Sequence, residues 1–283
     1  MRIILSALLI LVCSSIGYSQ LLVPANTMNK IWETGDGIKV PESVLVFDSI
    51  LFVSNIDGNP AVKDGTGCIS IIDRKGKMLQ EEWVKGIDAP KGMAVLGNHL
   101  FVSNIDEVVE IEIPTASIIK RHAIKDAQFL NDIAIDTATG MIFITDTKTG
   151  TVSVLRNGIS STWLEGSLFK GANGLFLKGN HLFIGAANSI LQADIISGEV
   201  RVILSGTGAV DGLYVTDDDK FIYSNFKGLV YIAGRKGKPE ELLNTISMRA
   251  NTADFAVIAS ENKIIIPTFA YNRIICYSSA LIK

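Results

Sequence analysis

Short runs of alternating apolar and polar residues, joined in pairs by a tight turn, recur along most of the chain. PESVLVFDSILFVSNI begins at Pro41, PKGMAVLGNHLFVSNI at Pro90 and LNDIAIDTATGMIFITD at Leu130. The unit returns as ANGLFLKGNHLFIGAA from Ala172, VDGLYVTDDDKFIYSNF from Val210 and ADFAVIASENKIIIPTF from Ala253. A period of two marks a strand with one buried face, and a Gly-, Asn- or Asp-bearing turn between two such runs predicts a β-hairpin. Equivalent residues return every ~38–49 positions, a spacing in the range of propeller blades.

A third strand is predicted after each hairpin: GCISIID from Gly67, EVVEIEI from Glu107, GTVSVLR from Gly150, NSILQAD from Asn188, GLVYIAG from Gly228 and NRIICYS from Asn272. A fourth follows in five repeats, at Leu79, Ser117, Ser160, Glu199 and Pro239. The sixth repeat reaches Lys283 without room for its own, while NKIWETG from Asn29 is a spare strand that resembles WLEG and EEWVKG. The pattern therefore predicts an all-β fold, a six-bladed β-propeller of four-stranded blades whose ring is closed by the N-terminal strand. A ring of blades also protects strand edges that an open sheet would expose. With no Pro/Ser-rich linker and no long amphipathic helix, residues 28–283 read as one domain.

The chain has 283 residues, of which 48 % are hydrophobic and 19 % charged, with a net charge of −3. That composition supports a large core and excludes general disorder. The balanced charge leaves no footprint for nucleic acid or an anionic membrane. Met1 and Arg2 precede an apolar run, Ile3 to Val12, with Gly17 and Ser19 before Gln20. This reads as a secretory signal over residues 1–19, too short to span a bilayer, so the expected location is periplasmic or extracellular. Lipidation at Cys13 is the alternative, disfavoured by the bulky Val12. Cys68 and Cys276 remain after cleavage; they can pair, but apolar surroundings favour two buried free thiols. CxxC, zinc-spaced Cys/His, GxSxG and Walker patterns are absent from the sequence.

In a propeller the innermost strands line a central channel, so residues at one repeat position converge near its axis. The second residue of each repeat gives Glu42, Lys91, Asn131, Asn173, Asp211 and Asp254, all polar before largely apolar strands. Turn chemistry explains Asn and Asp at a strand start, but not Glu and Lys in the same slot. Glu42, Asn131, Asn173 and Asp211 together offer two carboxylates and two amide oxygens, a set suited to Ca²⁺ or another hard divalent cation. They are too few to fill a calcium shell, which leaves such a site open to water or substrate.

On the motifs PES (Glu42), LND (Asn131), ANGL (Asn173) and VDGL (Asp211), the sequence resembles the regucalcin and gluconolactonase family of six-bladed propellers, and more distantly the paraoxonases. The resemblance implies a catalytic divalent metal held by Glu42, Asn173 and Asp211, with Asn131 beside it near the substrate. It also implies Asp211 as the general base on the attacking water. Two positions depart from the family. Phe129 stands where an Arg commonly holds a sugar acid, which disfavours aldonolactones. Lys91 would place an ammonium near the cation, a repulsion of about 6–7 kcal/mol at ~5 Å and an effective dielectric of about 20. Lys91 therefore either leans toward Asp254 or substrate, making both residues candidate substrate contacts, or takes the cation position itself.

His99 and His181 repeat in matching GNHLF turns, a structural pattern, and His122 is expected on an exposed outer strand. Ser54, Ser103 and Ser224 recur as small residues closing second strands, and Trp32, Trp83 and Trp163 fall on fourth strands as packing residues. Two functions remain open: an exported, metal-dependent hydrolase of the lactonase or esterase type acting on a small molecule in the channel, or a non-catalytic propeller that binds a small ligand or a protein.

Overall fold

The structure is a computed structural model that describes residues 28–282. The secretory-signal and lipidation readings lie outside the described residues. Among those residues, 24 strands form six antiparallel sheets of four. The innermost strands are Pro41–Phe47, Pro90–Leu96, Leu130–Asp136, Leu175–Lys178, Leu213–Val215 and Ala256–Ile258. In blades 1 to 5 the four strands follow one another outward in chain order. The chain is a six-bladed β-propeller.

Blade 6 differs as the sequence requires. Its outermost strand is Asn29–Glu33, antiparallel to Ile274–Ser278, with Asn29 opposite Ser278 and Trp32 opposite Cys276. Thr34 extends the seam: its N–H donates to the Ile274 carbonyl and its hydroxyl accepts from the Ile274 N–H, both at 3.0 Å. The start and end of the ring are thus hydrogen-bonded into one sheet, and Met28 is buried among Ile222, Leu243, Ile264 and Ile275 of blades 5 and 6.

Apolar faces meet between neighbouring blades, so the core is a set of wedges around the axis. Phe52, Ile69 and Val84 of blade 1 meet Met93 and Val102 of blade 2. Trp83 stands 4.9 Å from Phe52, and Trp163 stands 5.0 Å from Phe143 (ring centroids), as packing residues of outer strands. Cys68 and Cys276 are buried free thiols, both pushed up to about 11 by burial. His122 corrects its expected exposure. It is 7 % exposed, its Nε2 lies 2.8 Å from Glu110, and Gly158 of the next blade closes over the Lys120–His122 stretch.

Candidate functional site

Three innermost strands begin with a break in pairing register: between Pro41 and Ser43, between Pro90 and Met93, and between Leu130 and Ile133. Glu42, Lys91 and Asn131 sit inside those irregularities. Such bulges re-aim a side chain that a regular strand would send elsewhere. Asn173 and Asp211 come just before their strands, each held by its backbone N–H at 2.9 Å on the neighbouring strand, to Gly185 and Ser224 respectively.

Small hydroxyl residues stitch these positions from blade to blade. The Thr145 hydroxyl accepts from the Asp132 N–H and donates to the Asn173 carbonyl, at 2.9 and 2.8 Å. Ser224 accepts from the Gly212 N–H at 2.7 Å and donates to the Ala253 carbonyl at 3.0 Å. Ser103 bonds the Asn131 carbonyl in the same way. The recurring Ser of the second strands is therefore more than a small closing residue: it fixes where each axial backbone segment sits.

The same bonds correct the sixth repeat. Ala253, not Asp254, donates to Pro267 as Asp211 donates to Ser224. The residue level with Glu42, Lys91, Asn131, Asn173 and Asp211 is therefore Ala253. Asp254 belongs one level further along the axis with Ser43, Gly92, Asp132, Gly174 and Gly212; it forms a parallel bridge with Ser43, whose hydroxyl donates to Asp254 Oδ2 at 2.6 Å. The expected role of Asp254 as a substrate contact in the same pocket does not hold. It lines a second cavity of about 380 Å³ that runs between the innermost strands and also includes Ser43 and Asp132.

The first cavity, about 250 Å³, is lined by Glu42, Lys91, Asn131, Asn173 and Asp211 together. Its wall comes from loops: Ile56 and Pro60, Phe129, Val210, Phe226 and Phe269. Phe226 and Phe269 meet edge to face at 5.0 Å, with Phe269 held at a φ of 38°. The result is a polar floor under an apolar mouth, the usual make-up of a small-molecule site. A larger open groove of about 510 Å³ lies on the outer face of blade 3, lined by Met141, Trp163 and Ile195 among others; it holds no carboxylate.

Charge on the floor is unbalanced. Glu42 is 6 % exposed, and burial first, then Asp211 and Asp254, hold its carboxyl well above the usual carboxylate range. Asp211, 5 % exposed, is pushed up to about 7 by burial and by Asp254, against the pull of the Asn173 amide that donates to its Oδ1 at 2.9 Å. Lys91 is 1 % exposed and burial lowers it to about 8, although Glu42 and Asp146 favour its charge. Its Nζ donates to the Ala89 carbonyl at 3.1 Å and lies 4.4 Å from the Phe129 ring centroid. Asp254 is not among the groups that act on it, so the expected lean toward Asp254 is not what the fold provides. Asn104 anchors the Ala89 N–H and Asp146 anchors the Phe129 N–H, at 2.8 and 3.0 Å, which fixes both neighbours of the ammonium.

Two buried acceptor atoms on this floor have no hydrogen-bond partner: Glu42 Oε2 and Asn173 Oδ1. An orphaned buried acceptor costs about 1–3 kcal/mol, so two of them on residues that line one cavity suit a cation. With the Asp211 carboxylate they form the all-oxygen set that hard divalent ions prefer. The residues present fit the ion that the sequence implies. Among the described residues no three His, Cys, Asp or Glu side chains gather as a metal cluster, and this set reaches three oxygens only through the amide of Asn173. Asn131 lines the pocket with its Nδ2 donated to Thr147 at 3.0 Å.

Sequence reasoning missed Asp132. This carboxylate is 5 % exposed, accepts from the N–H groups of Ile133 and Leu175 at 2.7 and 2.6 Å, and is held well above its ordinary range by burial and by Asp254. It lies one level below the pocket floor and ties blade 3 to blade 4. The signal was present in the LND motif, beside Gly at the same position of three other repeats.

No family model and no curated protein matches the chain. Solved structures do. The chain is similar to a virginiamycin B lyase from Staphylococcus aureus. That structure, a catalytically inactive histidine-to-alanine variant with quinupristin, superposes with a TM-score of 0.62 at 12 % identity, over 89 % of this chain and 98 % of that one. At that identity the likeness shows the propeller fold alone.

Proposed function

We propose that the pocket of Glu42, Asn173 and Asp211 is a hydrolytic site for small, neutral, largely apolar esters or lactones, assisted by a divalent cation such as Ca²⁺. The observation that carries this reading is the pair of unpartnered acceptors, Glu42 Oε2 and Asn173 Oδ1, beside the Asp211 carboxylate under an apolar mouth. A divalent cation held by Glu42, Asn173 and Asp211 would supply Lewis-acid polarisation of the ester carbonyl.

The chain's own groups divide the remaining work. Asp211 takes a proton from the attacking water: the Asn173 amide fixes its Oδ1, which orients the carboxylate that accepts it. Asn131, pinned through its Nδ2 by Thr147, keeps its amide oxygen for a donor on the substrate. Ile56, Pro60, Phe226 and Phe269 hold the apolar part of the substrate and exclude bulk water. Phe129, where related lactonases carry a cationic clamp, makes a neutral substrate the better fit. The motif resemblance to the gluconolactonase family supports this assignment, and the N-terminal apolar run supports export to the periplasm or the extracellular space.

The similar lyase offers a contrast. That lyase is catalytically inactive with one histidine replaced by alanine. The three histidines of this chain are His99 and His122, both on Glu110, and His181 in the blade 4 hairpin, and none lines the pocket. Histidine-dependent chemistry at this pocket is therefore not supported by these side chains. The second reading, a propeller that binds a ligand without turnover, is favoured by one observation, the buried Lys91 in the cation's neighbourhood. Turnover of a lactone and ester panel by the purified protein with added Ca²⁺, compared with Glu42→Ala, separates the two: activity lost in the variant supports hydrolysis, and an inactive wild type supports binding alone.

A further inference from the structure

Hydrolysis leaves Lys91 without a task. It is the one lysine among the described residues that is buried. Lysines that form ion pairs here, such as Lys63 with Asp106 and Lys178 with Asp219, sit at the surface. Among the described residues Lys91 has no such pair; its recorded partners are the Ala89 carbonyl and the face of Phe129. A neutral amine has two N–H bonds and one lone pair. One N–H donates to the Ala89 carbonyl, Nζ stands 4.4 Å from the Phe129 ring centroid, and the side chain lines the cavity, so a carbonyl compound bound there lies within reach of the amine. Desolvation without a fixed carboxylate partner is the arrangement that turns lysine into a nucleophile toward carbonyl carbon. The backbone anchors from Asn104 and Asp146 hold Ala89 and Phe129, so the amine is oriented rather than merely buried.

We propose that Lys91 is an amine nucleophile that captures small apolar aldehydes in this pocket as an imine. The lone pair of Nζ adds to the aldehyde carbon and forms a C–N bond, while the carbonyl π pair moves to oxygen, which receives a proton from Nζ. The hydroxyl then leaves as water together with the second Nζ proton, and C=N forms. Amine and aldehyde enter, imine and water leave, with no oxidant or reductant. Ile56, Pro60, Val210, Phe226 and Phe269 surround the entering chain, which selects an apolar aldehyde over a charged one. This activity goes beyond the hydrolytic reading and needs no cation.

The test is reductive trapping. Folded protein in a chelator is treated with limiting pentanal or benzaldehyde and cyanoborohydride, and adducts are located by peptide mapping. The expected result is a saturable adduct on the Lys91 peptide, at least about tenfold above that on any exposed lysine. Lys91→Met, with its melting transition retained, should lose that adduct alone. Adducts scattered over exposed lysines, with Lys91 bare in the folded wild type, would overturn the proposal, and that result requires no variant to fold. Lactone turnover measured with Ca²⁺ on the same preparation keeps the two readings apart: a Lys91 adduct without turnover upholds the imine and removes hydrolysis, and turnover with Lys91 bare does the reverse.

Discussion

The backbone N–H of Asp254 donates to the carbonyl oxygen of Glu42 at 3.0 Å, and this bond sets the two carboxylates one level apart along the channel axis. Asp254 therefore acts on the pocket from below, as a charge, while Ser43 holds its Oδ2.

That placement predicts a pH dependence. Burial holds Asp254 at about 7 in the folded chain, against about 3.9 when unfolded. Between those values the folded state binds a proton that the unfolded state has released, so stability falls as pH rises from about 4 to about 7. In a chelator, the urea midpoint should be lower at pH 8 than at pH 5, and Asp254→Asn should shrink that difference. An undiminished difference in the variant would contradict the assignment.

Ring closure should be the weak seam of the fold. Among the described residues the Asn29–Glu33 strand, with Met28 packed just before it, ties blade 6 to blade 1 through the chain that runs on to Pro41. Met28→Ala should cost about 2–5 kcal/mol, as truncations of buried side chains do. Deleting Asn29–Glu33 exposes the edge of Ile274–Ser278 and should abolish a single cooperative melting transition, read by calorimetry.

Gly174 and Gly212 belong to motifs that also supply Asn173 and Asp211. A Cβ at Gly174 would overlap the Asp211 carbonyl oxygen. Gly174→Ala should destabilise by about 1–3 kcal/mol through forced backbone movement and lower turnover more than a matched core substitution of equal cost. Equal losses of activity in the two variants would detach the glycine from the site.

Asp211→Asn keeps the shape of the side chain and an oxygen for the Asn173 amide, but cannot accept a proton from water. The melting temperature should hold while lactone or ester turnover falls by at least about a hundredfold, the share general bases commonly supply. Turnover within a few-fold of wild type would remove Asp211 as the base.

Most of the architecture was legible because each blade repeats the same period-two hairpin, and each predicted third and fourth strand appears in its sheet. The closing strand was legible from what blade 6 lacked. Site register was harder. Alternation fixes which face a residue takes within a strand, but Glu42, Lys91 and Asn131 lie in bulges, where the period breaks. In the sixth repeat the innermost strand is only Ala256–Ile258, so nothing periodic distinguishes Ala253 from Asp254 as the residue at pocket level. Asp132 was missed because its bonds to Ile133 and Leu175 depend on how blade 4 docks, a contact that no local pattern encodes. His122 was misplaced because its contacts with Glu110 and Phe101 of the same blade, and the approach of Gly158 from the next, come from residues distant in sequence.

The account rests on Glu42, Asn173 and Asp211 holding a divalent cation. Equilibrium dialysis of chelator-stripped protein against Ca²⁺, with bound ion counted per chain, tests this directly when repeated on Glu42→Ala. The account predicts a single bound ion in the wild type and its loss in a variant that still melts cooperatively. A wild type that binds no divalent ion, or a Glu42→Ala protein that binds it equally well, would contradict it.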